Sequence, residues 1–162
     1  MVDIQTISIA VASASVVAGV VYYAFQVRHQ TKMRQTDLVI RLSTYVVSRD
    51  FMEAVMDIHE AEFEDYDDFV RKYGKPFSRK QIPMSFTIVG NFCEQLGVLF
   101  KNKLIDISLI AELFGVRGIW EIMRPIVEGI RKEEHDQSIF EWFENLYNEL
   151  KKREQKLQQS KA

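Results

Sequence analysis

The 162-residue sequence contains few of the residues that cross-link a chain or interrupt its helices. It has one cysteine, Cys93, so no disulfide can form within the chain, which is consistent with a reducing compartment. Seven glycines and three prolines are too few for a fold built of many short strands and tight turns. The formal net charge of −2 gives the chain no basic excess, so we expect no nucleic-acid partner. The composition therefore predicts helices joined by short connections.

The segment Ile4–Val27 contains no Asp, Glu, Lys, Arg or His. A helix of this length, at ~1.5 Å per residue, spans the ~30 Å hydrocarbon core of a bilayer. A cleaved secretory signal fits less well, because its apolar core is only about 7–15 residues long. A buried core helix also fits less well, because the uncharged run is so long. We predict that residues 1–27 are a transmembrane anchor.

Basic residues flank one side of this segment only. Arg28, Lys32 and Arg34 follow it, whereas Asp3 alone precedes it. Lys and Arg are retained on the cytoplasmic side of a membrane. We therefore expect a single-pass protein of the cell membrane, with the N-terminus outside and residues 28–162 in the cytoplasm. Residues 28–48 are predicted to form a basic juxtamembrane helix, whose continuity with the anchor is open.

Small side chains recur every four residues within the predicted span. The positions with this spacing are Ala10, Ala14 and Ala18, and beside them Ser15 and Gly19. Such spacing lets two helix backbones approach closely. It predicts a packing face for self-association or for another membrane protein. Single anchors that pack against nothing also contain many Ala and Ser, so this alternative stays open.

Residues 49–150 have the apolar periodicity of a bundle of about five or six helices, and residues 151–162 are expected to form a polar, mobile tail. The predicted fold is therefore all-α: one transmembrane helix followed by a cytoplasmic helical bundle. Gly90 and Gly97 lie seven residues apart on the most regular helix, which predicts a closely packed partner helix there.

Capping residues predict where the bundle helices begin. Asp50 and Asp106 are expected N-caps, and the segments 78–81 and 138–141 have the capping-box pattern. Pro125 is expected to kink or split its helix.

Nine acidic residues and no Lys or Arg occupy positions 50–70. Aromatic residues keep a helical spacing through and beyond this part, at Phe63, Tyr66, Phe69 and Tyr73. We interpret the segment as an acidic and aromatic surface. The alternative is a cation site around Asp57, His59 and Glu62, although their spacing matches no known ligand motif.

The sequence contains no motif typical of a catalytic, cofactor-binding or metal-binding site. Glu94 and Glu112 lie on otherwise apolar stretches and are candidate functional carboxylates, for which Arg117 or Arg124 is an available ion-pair partner. Cys93 is interpreted as a small core residue, because no local base accompanies it. We therefore predict no enzyme activity, no cofactor and no small-molecule substrate.

The stretch Asn91–Gly97, NFCEQLG, is followed by Lys103-Leu-Ile-Asp106 and by Trp120. Together with the anchor and the acidic segment, it resembles a family of small, single-span, all-helical proteins of archaea and bacteria known as a domain of unknown function. The resemblance covers most of residues 1–150 and implies the anchored helical fold, with no established activity. Some relatives are linked to phage defence, which implies a membrane-anchored effector as one alternative.

The function expected from these features is that of a membrane-tethered, non-enzymatic interaction module. Its partners would be the lipid bilayer and either another protein or a second copy of the chain. The alternative is an accessory subunit that packs into a larger membrane complex through its transmembrane helix.

Overall fold

The structure, a computed structural model, describes residues 3–159, with the side chains of the first helix described from Val11 onward. The described residues form seven helices and no strand, which confirms the predicted all-α fold. The helices are α1 (Ile4–Val46), α2 (Arg49–Glu60), α3 (Tyr66–Tyr73), α4 (Gln81–Lys101), α5 (Ile107–Leu113), α6 (Val116–Glu134) and α7 (Glu141–Gln159). The chain divides into two units, Met1–Arg41 and Leu42–Ala162.

The first unit contains α1 as far as Arg41, and the side chains of this helix are exposed from Val11 to Arg34. Within the described residues, α1 is one helix long and apolar enough to cross a membrane. Its polar side chains bond to the helix itself. The Ser15 hydroxyl donates to the Val11 carbonyl at 2.8 Å, and Thr31 donates to Val27 at 2.9 Å. Such internal bonds leave fewer polar groups in need of water, as an apolar surrounding requires.

The second unit is organised around α4. This helix packs most extensively against α7 on one side and α2 on the other, and it also contacts α6. Its buried side chains include Phe86, Val89, Cys93 and Leu96. A helix that buries several faces must be apolar around most of its circumference, and that is the pattern the sequence of α4 shows.

Aromatic rings join the helices of this unit. Phe92 of α4 meets Phe51 of α2 edge to face, with ring centroids 4.8 Å apart. Trp120 of α6 meets Phe143 of α7 in the same way, also at 4.8 Å. Pairs with this geometry contribute about 0.5–1.5 kcal/mol beyond the burial of their area.

Several helix ends differ from the predicted ones. Ser48, not Asp50, is the N-cap of α2, and its hydroxyl accepts from the Phe51 N–H. α4 begins after Lys80 without a side-chain cap, so the capping box predicted at 78–81 is wrong. The box predicted at 138–141 is also wrong, because the Ser138 N–H and hydroxyl donate to the Asp136 carboxylate instead.

Two further predictions concern the cap at Asp106 and the effect of Pro125 on its helix. The predicted cap at Asp106 is confirmed, because its carboxylate accepts from the Ser108 N–H at 2.7 Å. α6 continues as one helix through Pro125, so the predicted split at this proline does not occur.

The two glycines of α4 lie against neighbouring elements. A Cβ atom at Gly90 would stand 2.9 Å from the side chains of Met123 and Phe140. A Cβ atom at Gly97 would stand 2.2 Å from the backbone carbonyl oxygen of Trp142. Flexible side chains can move away from such an atom, whereas a helix backbone can do so only by shifting the whole helix. Gly97 therefore sets the distance between α4 and α7.

We predict that Gly97→Ala destabilises the protein by about 1–3 kcal/mol, because the added methyl group forces α7 away from α4. The matched control is Gly118→Ala in α6, where a Cβ atom meets nothing within 4 Å. This control is expected to stabilise by about 0.5–1 kcal/mol, since alanine favours a helix. Urea unfolding of the full-length protein in a mild detergent, followed by tryptophan fluorescence, measures both changes. Equal stability of the two variants would contradict the close contact at Gly97.

Candidate functional site

The first candidate carboxylate, Glu94, holds the start of another helix. It is half-buried on α4, and its two oxygens accept the backbone N–H groups of Trp142 at 3.2 Å and Phe143 at 2.7 Å. These N–H groups belong to the first turn of α7, where no carbonyl within the helix can accept them. A carboxylate also complements the partial positive charge at a helix N-terminus. Glu94 therefore caps α7 from a different helix.

The second candidate, Glu112, is at the surface and has a different partner from those predicted. Its side chain is 68% exposed and lies 3.8 Å from Arg153. Arg117 pairs with Glu154 and Arg124 pairs with Glu128. The predicted pairing of Arg117 or Arg124 with Glu94 or Glu112 is therefore wrong.

The alternative cation site has no support in the described part of the chain. Asp57 accepts from the Gln81 amide at 3.1 Å and from the Ser85 hydroxyl at 2.6 Å, so it joins α2 to α4. No group of three or more His, Cys, Asp or Glu within the described residues has the arrangement needed to hold a metal ion.

The aromatic side chains of the acidic segment point largely inward. Phe69 is buried, with its ring centroid 5.3 Å from that of Phe63 and 5.8 Å from that of Phe86 in α4. Tyr66 and Tyr73 are half-buried. The surface of this segment is therefore mainly acidic, and Phe63, Tyr66 and Tyr73 are only partly exposed, because their rings attach the segment to the rest of the bundle.

The contact between Tyr66 of α3 and helix α6 was not predicted from the sequence. The ring of Tyr66 lies on α6, where a Cβ atom at Gly129 would stand 2.1 Å from it. Its hydroxyl donates to the Glu133 carboxylate, and Lys75 donates to the same carboxylate. Partial burial and the bond to Glu133 raise the pKa of Tyr66, while Lys75 and Tyr66 lower the pKa of Glu133. In the sequence, only the glycine at position 129 indicates this contact. It can be interpreted only when α3 is known to pack against α6.

A small apolar cleft opens between α2 and the start of α6. Its walls are Val55 and His59 of α2 on one side and Leu113, Gly115 and Ile119 on the other, and Phe92 and Cys93 of α4 form its floor. Its volume is about 160 Å³. An apolar cavity near 150 Å³ accepts a molecule the size of benzene, so this cleft has room for one large apolar side chain.

Cys93 is part of the floor of this cleft and is fully buried. Burial raises the pKa of its thiol, so the reactive thiolate is disfavoured. This agrees with its interpretation as a core residue.

A second apolar stripe of α2 lies beside the cleft. Phe51, Ala54 and Ile58 form the buried stripe of this helix. Met52, Val55, Met56 and His59 follow one another at i, i+3, i+4 and i+7, and therefore share an adjacent stripe. Met52 is 47% exposed and Met56 is 54% exposed. Methionine side chains adapt to many shapes and are frequent at protein-binding surfaces. We call the apolar cleft and this second stripe the α2 surface.

The predicted features of α1 lie on its exposed surface. Ala14, Ser15, Ala18 and Gly19 are exposed, and a Cβ atom at Gly19 would meet nothing within 4 Å. The side chain of Ala10 lies outside the part of α1 whose side chains are described. Arg28, Lys32 and Arg34 are exposed as well.

These features define an all-α protein with one candidate membrane helix and a bundle that carries an apolar surface on α2. The chain belongs to the family DUF4760, a domain of unknown function, whose model matches residues 10–150. The family membership expected from the sequence is thereby confirmed, while the occurrence of the family as single-span proteins of archaea and bacteria stays a prediction. No curated protein and no solved structure matches the chain.

We predict that Glu94→Ala destabilises the full-length protein by about 1–2 kcal/mol, the usual cost of losing a helix cap. Glu112→Ala serves as the matched control, since it removes an exposed carboxylate of the same type. This control is expected to change the free energy of unfolding by less than about 0.5 kcal/mol. Denaturant unfolding in detergent compares the two variants. Similar small effects would mean that Glu94 does not cap α7.

Proposed function

We propose that this protein is a membrane-tethered, non-enzymatic interaction module. α1 inserts into the cell membrane, and the bundle binds a helical segment of a protein partner. The observation that carries this proposal is the α2 surface, where an apolar cleft adjoins two exposed methionines. Exposed apolar patches of this kind are typical of binding sites.

The charges of α1 support one orientation of the proposed anchor. Arg28, Lys32 and Arg34 follow the uncharged segment, and this bias favours a cytoplasmic position for residues 28–162. The N-terminus then lies outside the cell membrane.

The chemistry of the α2 surface favours a basic amphipathic helix as its occupant. The cleft accepts one large apolar side chain, which would act as the anchor of the complex. On the surface of α2, the exposed carboxylates of Glu53 and Glu60 neighbour Met56 at i−3 and i+4, and Glu53 is paired with Arg49. Lys or Arg residues that flank the apolar face of the partner would complement these carboxylates and speed its association. Helices that bury an apolar face in a groove are a common mode of recognition.

A second candidate function is that of an accessory subunit held in a membrane complex by α1. It is favoured by the exposed small side chains of Ala14 and Ala18, which lie one helical turn apart. In that case the contact with the partner lies within the membrane, and the α2 surface is not needed.

We predict that a C-terminal epitope tag is digested by external protease only in inverted membrane vesicles. The reason is that the basic flank retains residues 28–162 in the cytoplasm. An N-terminal tag on the same protein is the control and is expected to be digested only in right-side-out vesicles. The reverse pattern would contradict the proposed orientation.

We predict that the double variant Met52→Gln/Met56→Gln weakens binding of a designed basic amphipathic peptide at least about tenfold, because it places uncharged polar groups in an apolar contact. Full-length protein in nanodiscs of uncharged lipid is titrated into the labelled peptide, and fluorescence anisotropy reports binding. Met84→Gln on α4 is the control, because Met84 is also exposed but lies outside the α2 surface. An acidic peptide of the same apolar pattern is expected to bind weakly.

Native-membrane crosslinking separates the two candidate functions. If the α2 surface holds the partner, the methionine variant loses the crosslinked product and Ala14→Leu/Ala18→Leu retains it. The opposite result would favour the accessory-subunit function.

A further inference from the structure

One face of α1 has the residue spacing of a coiled-coil seam. Its positions alternate by four and three residues, so they repeat every seven residues and lie along one side of the helix. All of the side chains at these positions are exposed. We call this face the α1 seam, and its central residues are Tyr22, Gln26, His29, Met33, Thr36 and Ile40.

The α1 seam lies opposite the half-buried side of the same helix. Gln35 and Leu38 are half-buried, whereas Met33 and Ile40 are exposed. Met33 and Gln35 are two residues apart, as are Leu38 and Ile40, so the members of each pair lie roughly 160° apart around the helix. A second helix can therefore lie along the seam without reaching the half-buried side chains.

Two large apolar side chains of the seam are exposed beyond the uncharged segment. Met33 and Ile40 are each 59% exposed, and they lie among the charged residues Lys32, Asp37 and Arg41. Scattered apolar side chains on a surface need no explanation. These two, however, stand seven residues apart on one face, which is the spacing of successive layers in a coiled coil. The spacing indicates that another helix covers them.

We propose that α1 pairs with α1 of a second copy of the chain, as a parallel two-stranded coil along the α1 seam. The pairing depends on the membrane insertion proposed above, because copies inserted in the same direction are parallel. Residues of the same number then face each other. The Gln26 amide N–H donates to the side-chain carbonyl of Gln26 in the second copy. Polar side chains bond across helices in membranes, and one polar layer fixes the register of a coil.

Gly19 continues the seam deeper into the span. It precedes Tyr22 by three residues and Gln26 by seven, so it lies on the same side of the helix. Within one chain, a Cβ atom at Gly19 would meet nothing within 4 Å. Because glycine has no side chain, the backbones of the two copies can approach closely at this layer.

The charges beside the seam fit a second copy in the same register. In a parallel coil, the residue before one seam position pairs with the residue five positions further along the other helix. Lys32 precedes Met33, and Asp37 lies five positions further. Each copy therefore places its Lys32 beside Asp37 of the other copy. Asp37 also bonds to Arg41 of its own helix, but its side chain is 64% exposed and can accept a second donor.

The arginines that follow the span lie away from the seam. Arg34 and Arg41 each follow a seam position by one residue, and Arg28 follows one by two residues. These positions are roughly 130° and 170° from the middle of the seam. The arginines of the two copies therefore do not face each other. Lys32 and Asp37, which have opposite charges, are the residues that flank the contact.

Single cysteines test which residues face each other. Met33→Cys and Ile40→Cys in the full-length protein are expected to form disulfide-linked dimers when native membrane vesicles are oxidised. The reason is that facing positions of a parallel coil lie within disulfide reach. Thr31→Cys is the matched control, because Thr31 is exposed on the opposite side of α1, and it is expected to give at least about tenfold less dimer. The unchanged chain gives the background, since Cys93 is fully buried.

A charge exchange tests the register. Lys32→Asp is expected to weaken association at least about threefold, because two ion pairs are lost and like charges meet instead. Lys32→Asp/Asp37→Lys restores both pairs and is expected to restore association to that of the unchanged chain. Energy transfer between donor-labelled and acceptor-labelled full-length copies, diluted in vesicles of uncharged lipid, measures both variants.

Three outcomes would overturn the proposal and leave the membrane anchor standing. One is a dimer yield from Met33→Cys that does not exceed that from Thr31→Cys. Another is a charge exchange that fails to restore association. The third is crosslinking of Ala14→Cys without crosslinking of Gly19→Cys, which would place the contact on a different face of α1. Release of the unchanged chain from membranes by alkaline carbonate would instead overturn the proposed anchor and this pairing together.

Discussion

The close contact between α4 and α7 at Gly97 is the constraint on which the rest of the bundle depends. The Trp142 carbonyl occupies the space that a side chain at position 97 would fill. One turn earlier on α4, Glu94 accepts the N–H groups of Trp142 and Phe143. Gly97, which has no side chain, and the carboxylate of Glu94 therefore both position the first turn of α7. With its start fixed, α7 buries Phe143, Leu146 and Leu150 in the core.

The arrangement around α4 also explains why the α2 surface is left open. α2 packs on α4 through its buried stripe, on the side away from α7. α5 has only seven residues and its main contacts are with α7, so on the side of α2 it supplies only Leu113, one wall of the cleft. Within residues 3–159, no helix therefore buries the exposed methionines of the second stripe of α2, and the cleft above Cys93 remains. An apolar surface that the bundle itself leaves uncovered is available to another molecule.

The sequence predicts the helices well because apolar periodicity is a local property. The spacing of Gly90 and Gly97 also predicted that something would pack closely on α4. The periodicity does not indicate which element packs against α4. Glu94 bonds to residues 48 and 49 positions further along the chain, and nothing near Glu94 in the sequence indicates them. Caps depend on single hydrogen bonds, so Ser48 and Asp50 are hard to separate from the sequence alone.

Arg131 shows how a buried cation can attach one helix of the bundle to the next. Burying a cation is costly unless it is paired and its hydrogen-bonding groups have partners. Glu144 supplies the opposite charge and Ile139 a second acceptor, and these two contacts suffice to attach α6 to the start of α7. Nη2 is buried without a hydrogen-bond partner among the described residues, so part of the cost of burying this guanidinium group is not recovered.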